Sequence, residues 1–217
     1  QIKRQARNKI KKSKKKGVII KEIEFDDSSA RELAEIINET PIRQGRRYRH
    51  YGKDVNTIKK EHSTFMDQSV YYGAYYKDKM IGFLKLINAE KLITSMGIIA
   101  MIKHRDKAPM NALIDKAVEL CAKMNIPYLM YAKAEYGKKK KSSLYDFKRY
   151  NGYKKFNIPR YYIPVTFIGR IAIKLKLFRR PNEYIPERLL YFILELRKKY
   201  YSLKQAVFKK NISTDIT

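Results

Sequence analysis

Cys121 is the only cysteine in the chain, so no intrachain disulfide and no cysteine-based zinc site can form. A reducing compartment, the cytoplasm, fits that usage best. Histidine is scarce as well. His50, His62 and His104 stand far apart, without the i, i+4 pairing or carboxylate companions of a metal site, and no catalytic metal is expected. No stretch of about 18 apolar residues is long enough to span a bilayer, and no secretory signal with an apolar centre is found. A G-x-S-x-G turn is missing, which removes the support for a Ser–His–Asp hydrolase. Acidic residues are few: 21 Asp plus Glu face 49 Lys plus Arg, giving a formal charge of +28. A surplus of that size repels itself and calls for an anionic partner, whether nucleic acid, acidic glycan or anionic membrane. Lys-rich and Tyr-rich usage that reflects genome composition or a thermophilic host is the bland alternative.

With 217 residues, 44% of them hydrophobic, the chain buries one substantial core. The charge divides it. Residues 1–16 hold nine Lys or Arg and no acid, and read as a mobile basic arm. Residues 17–165 hold the periodic elements and read as one domain. Residues 166–217 read as a basic amphipathic extension.

Within the domain, 17–25 is rich in β-branched residues, and Asp26 to Ser29 then offer caps for a helix carrying Leu33, Ile36 and Ile37. The segment 40–52, TPIRQGRRYRHYG, reads as a basic loop before a helix opened by Asp54. Two apolar runs, 69–76 and 80–88, flank a short turn and predict an antiparallel hairpin; a third run covers 91–103. Leu113, Ile114, Ala117, Val118 and Cys121 predict the buried face of a helix over 109–125, with Pro109 in its first turn. A strand over 126–134, a helix with Leu144, Phe147 and Tyr150 on one face, ended by Gly152, and a last strand over 161–165 complete the order. The fold class is α/β, a mixed, mostly antiparallel sheet with flanking helices and one parallel crossover.

This order, together with FKRYNGY over 147–153, resembles the GNAT superfamily of N-acetyltransferases across roughly residues 17–165. The resemblance implies a sheet whose strands before and after the long helix splay apart to admit the pantetheine arm of acetyl-CoA or another acyl-CoA. Two departures stand out. The slot that the family usually fills with a tyrosine general acid matches Lys148. The Gly-rich loop that holds the CoA pyrophosphate at a helix end matches 101–113, MIKHRDKAPMNAL, which has no glycine. The cofactor-binding residues implied are Ile99, Ala100 and Met101 on the strand, Lys103, Arg105 and Lys107 supplying side-chain charge, and Met110 and Asn111 at the helix start. The same FK-then-Gly signature is similar to that of the FemABX-like transferases, which take aminoacyl groups from tRNA and usually contain two such domains.

Acyl transfer needs a base for the acceptor and an acid for the leaving thiolate. His104, kept neutral by its basic neighbours, and Glu135, on the following strand, are the candidate bases. Tyr145 offers a hydroxyl donor from the last helix, and Lys148, if desolvated, a base or a carbonyl-polarising group. The function implied is transfer of an acyl group from acyl-CoA to an amine or hydroxyl, on an envelope or polyanionic acceptor. Two alternatives stay open: an aminoacyl-tRNA-dependent transferase of FemABX type, and an RNA-binding module using Tyr48, Tyr51 and the basic run 138–150, although no RNP, KH or zinc-knuckle pattern is present. The extension, with Ile168, Ile171 and Leu175 among Arg170 and Lys174, reads either as a helix packed on the domain or as a peripheral anchor on the inner face of the membrane.

Overall fold

The computed structural model describes residues 2–131, 134, 143–159, 161–178 and 186–214. They divide into two units, one of Gln1–Pro41, Tyr48–Lys133 and Asp146–Tyr153, the other of Ile42–Arg47, Ala134–Tyr145 and Lys154–Thr217.

The first unit is built on a five-stranded sheet of β1 (Ile19–Ile23), β4 (Ser69–Tyr76), β5 (Lys79–Ala89), β6 (Leu92–Ala100) and β7 (Tyr128–Met130), side by side in that order. All neighbours are antiparallel except β6 and β7, which run parallel. That is the mixed, mostly antiparallel sheet the sequence predicts, without its last expected strand. Lys77 and Asp78, both in the left-handed region, make the tight turn between β4 and β5. The central strand β5 is buried on both faces from Met80 to Ile87, including Lys85.

One face of the sheet carries α4 (Pro109–Lys123), whose Leu113 packs over Gly82: a Cβ there would lie 3.2 Å from Leu113 Cδ1 and 3.3 Å from Ala74 Cβ. Leu113, Ala117 and Cys121 form its buried face as predicted, while Val118 is exposed. The opposite face carries α2 (Asp27–Ile37) and α3 (Val55–His62). Their caps are the expected ones. Asp26 accepts from Ser29 N–H while the Ser29 hydroxyl receives Asp26 N–H, and Asp54 accepts from Thr57 N–H. Under these helices Phe25 stacks on Tyr71 at 5.0 Å, and His62 meets Phe83 edge-on at 5.4 Å.

Three sequence expectations differ from the structure. The amino-terminal arm is a helix, α1 (Arg4–Lys15), because Ala6, Ile10 and Ser13 recur at helical spacing and are buried, with α1 packed on α4. Lys14 pairs with Asp115 at 3.7 Å and Lys16 with Asp106 at 3.0 Å. Among the described residues, the strand expected over 126–134 forms at Tyr128–Met130, while 126, 127 and 131 lie outside it. The last strand over 161–165 does not form. Pro159 and Pro164 remove ladder donors around it, and Tyr161, Ile163 and Val165 are exposed.

The second unit contains a two-residue-per-strand hairpin, β2 (Ile42–Arg43) with β3 (Arg46–Arg47), then α6 (Phe167–Lys174) and α7 (Glu187–Thr214). The helix α5 (Ser143–Tyr150) begins in this unit and ends in the first.

Candidate active site

Among the described residues, strands β6 and β7 pair at Leu92 with Tyr128, Ile93 with Leu129 and Thr94 with Met130. Strand β6 then runs on from Ser95 to Ala100 with no strand beside that edge among the described residues. A bulge lies where the two part. Lys85 of β5 opposes Gly97 and Leu86 opposes Ser95, so Met96 is the extra residue on β6. An extra residue bends its strand and adds local twist. The resemblance expects the splay at this point, past Thr94 and Met130.

Lys148 on α5 lies against the residue that follows β7. It is 4% exposed, with Nζ 3.5 Å from the Tyr131 carbonyl oxygen and 4.0 Å from the centre of the Tyr131 ring. Tyr131 is the first residue past β7. Burial pushes the Lys148 ammonium down to about 8, because desolvation disfavours the charged form. The desolvated state that the sequence allowed but could not fix is the one observed. Tyr153 stands edge-on to Tyr131 at 5.6 Å, with its hydroxyl buried and without a partner among the described residues. Burial, then the Tyr131 phenol, holds its proton tightly. Tyr131 and Tyr153 were not among the predicted site residues; the only sequence signal for Tyr153 was its place after Gly152.

The residues predicted to hold the cofactor fall on one continuous stretch but are unequally available. Ile99 and Ala100 end β6. Met101 is buried and its N–H bonds to Ile81 O at 2.9 Å, prolonging the ladder. A 3₁₀ segment over Ile102–Lys107 follows, and its first two backbone donors are taken: Ile102 N–H at 2.6 Å and Lys103 N–H at 2.9 Å both bond the Glu39 carboxylate. An internal anion therefore occupies the donors that a Gly-rich nest would offer to phosphate. At the start of α4, Asn111 N–H turns back to Ala108 O at 3.1 Å, and its buried side chain donates to Asn151 Oδ1 at 3.1 Å. Met110 lies beside it in the first turn. Lys107 folds over Tyr76, 4.7 Å from the ring centre, and pairs with Asp106 at 3.3 Å. Lys103 and Arg105 are exposed.

His104 lies against Tyr76, ring centres 5.8 Å apart, with a buried Nδ1 that finds no partner among the described residues. Burial first, then Lys107 and Lys103, lowers its pKa and keeps it neutral at neutral pH. Glu135 lies outside the described residues, as does the run 138–142. Tyr145 is half-buried near the start of α5, in the second unit. Tyr48, which stacking on RNA would need, packs partly buried against the core, whereas Tyr51 is exposed. No helix among the described residues is long and apolar enough to cross a membrane, and no group of three metal-ligating side chains is found among them.

No protein-family model matches the chain, and no curated protein matches its sequence. Among solved structures, it is similar in fold to a possible acetyltransferase from Clostridium difficile, at 16% identity and a TM-score of 0.46 over 67% of this chain and 97% of that one. It is similar to a ribosomal-protein-alanine N-acetyltransferase from Brucella melitensis, at 12% identity and a TM-score of 0.48 over 67% of this chain and 99% of that one. A GNAT family acetyltransferase from Staphylococcus aureus shows 14% identity and a TM-score of 0.47 over 66% of this chain and 96% of that one. Each likeness is one of fold.

Proposed function

We propose that the chain is an acyltransferase that moves an acyl group from acyl-CoA to an amine or hydroxyl acceptor. The observation that carries this reading is the buried Lys148 held against Tyr131, just past the point where the pairing of β6 with β7 ends among the described residues. An open parallel edge offers extended main chain to a linear amide such as pantetheine, as an added strand would pair. In the reaction the acceptor heteroatom attacks the thioester carbonyl carbon, the new bond to carbon forms, and the carbon–sulfur bond breaks. The leaving thiolate takes a proton from the Lys148 ammonium. A donor whose pKa is held near 8 matches a thiol far better than an unperturbed lysine does. His104, neutral and partly buried, receives the acceptor's proton, directly or through water.

The fit to the phosphate end of CoA is by side chain. The donors of Ile102 and Lys103 are held by Glu39, and the amide of Asn111 by Asn151, so Lys103 and Arg105 supply the charge. Such contacts screen readily with salt. The test is release of free thiol from acetyl-CoA in the presence of an amine panel, for the wild type and for Lys148→Met. Acceptor-dependent release that the variant loses supports the reading. Release equal in both overturns the role of Lys148, and none with any acceptor overturns the reaction.

A further inference from the structure

The segment 161–178 holds a helix that is closed at both ends and has an apolar face exposed among the described residues. Thr166 caps the start of α6, its hydroxyl oxygen accepting from Gly169 N–H at 3.0 Å. The end is a Schellman turn: Lys176 in the left-handed region, its N–H bonded to Ile173 O at 2.9 Å, and Leu177 N–H bonded to Ala172 O at 2.9 Å. Tyr162 stacks obliquely on Phe178 at 4.6 Å, bringing the two flanks of the helix together. An eight-residue helix is marginal in water even when capped, and needs its apolar face covered.

That face is bare. Val165 is 90% exposed, Ile163 82%, Ile168 77% and Phe167 74%, and Ile171 and Leu175 are exposed beside them. At about 3.6 residues per turn, Phe167, Ile168, Ile171 and Leu175 share one arc, and Arg170 and Lys174 flank it. The charge is of one sign only: from Phe147 to Asn182 there are ten Lys or Arg and no Asp or Glu. Phosphates alone would draw the cations, but they gain nothing from bulky aliphatic side chains in the open. A surface that offers anionic headgroups above hydrocarbon satisfies both.

We propose that α6 and its flanks form a docking surface for an anionic phospholipid bilayer. Phe167, Ile168, Ile171 and Leu175 enter the headgroup–acyl boundary, while Arg170 and Lys174 meet lipid phosphates. The helix lies on the membrane rather than across it, being only eight residues long. This surface belongs to the second unit and is independent of the acyltransferase reading.

The test is co-sedimentation of the full chain with vesicles of phosphatidylcholine alone or with phosphatidylglycerol added, beside single-stranded RNA binding and solution mass. Two variants are compared, Phe167→Ser with Ile168→Ser, and Arg170→Gln with Lys174→Gln. Since both replace exposed side chains, far-ultraviolet circular dichroism at unchanged helix content shows that each still folds. Binding to anionic vesicles is expected, weak on neutral ones, and reduced in both variants, by roughly fivefold for each cation removed. Equal binding by wild type and the apolar variant overturns the proposal. So does RNA binding that the apolar variant retains while vesicle binding is absent. A wild-type dimer that the apolar variant converts to monomer, without vesicle binding, assigns the face to a second copy instead.

Discussion

Replacing Lys148 with methionine removes a buried charge while keeping most of the aliphatic length, and should make the protein more stable and less active at once. A lysine whose folded pKa of about 8 lies below its ordinary 10.5 binds fewer protons folded than unfolded between those values. Stability thus rises with pH across that window, and below about 8 the full cost of burying the ammonium is present. At about 1.4 kcal/mol per pKa unit the cost is roughly 3 kcal/mol, and solvent screening brings it to about 2 kcal/mol. For a chain of this length, that is a rise of roughly 4–8 °C in Tm at neutral pH. The difference from wild type should close as pH approaches 10.5. In the same variant, loss of the proton donor should lower transfer by roughly a hundred- to ten-thousandfold. Thermal unfolding at a series of pH values, beside thiol release, reads both. A lower Tm at neutral pH would mean that the ammonium is held by favourable bonds, and the argument from desolvation would be refuted.

Other perturbations follow from the same geometry. His62 has its pKa pushed down to about 4 by burial and then by Lys85, so it binds fewer protons folded than unfolded between about 4 and 6.5. Stability should fall by about 2 kcal/mol as pH drops through that window, and His62→Gln should flatten the decline in denaturant titrations. Gly82→Ala places a Cβ 3.2 Å from Leu113 Cδ1 and 3.3 Å from Ala74 Cβ, and should cost about 1 kcal/mol by chemical unfolding. Asn111→Ala leaves the buried Asn151 oxygen without its donor; a loss of about 1–3 kcal/mol is expected, and an unchanged midpoint would show that water replaces the bond.

Much of the fold was legible because local signals agreed with long-range packing. Asp26 with Ser29 and Asp54 with Thr57 are short-range caps, Lys77 and Asp78 turn one hairpin, and Leu113, Ala117 and Cys121 mark a helix face. The helical arm was hidden because Ala6, Ile10 and Ser13 are sparse among lysines, and their burial depends on α4, far along the chain. Proline cost the expected strand at 161–165 its donors, although its β-branched and aromatic residues read as extended. At the site, the motif located Lys148 but not its burial, since lysine is ordinarily solvated and only the fold removes its water. The capture of Ile102 and Lys103 N–H by Glu39 was equally out of reach, joining residues more than sixty positions apart.

The central claim is that the opening beside β6 receives acyl-CoA, and calorimetric titration at moderate salt tests it most directly, with acetyl-CoA and ATP compared on wild type and on Lys103→Gln with Arg105→Gln. The account predicts saturable binding that prefers acetyl-CoA over ATP and that weakens, without vanishing, in the variant. Acetyl-CoA binding no tighter than ATP, with the same dependence on salt, would contradict it.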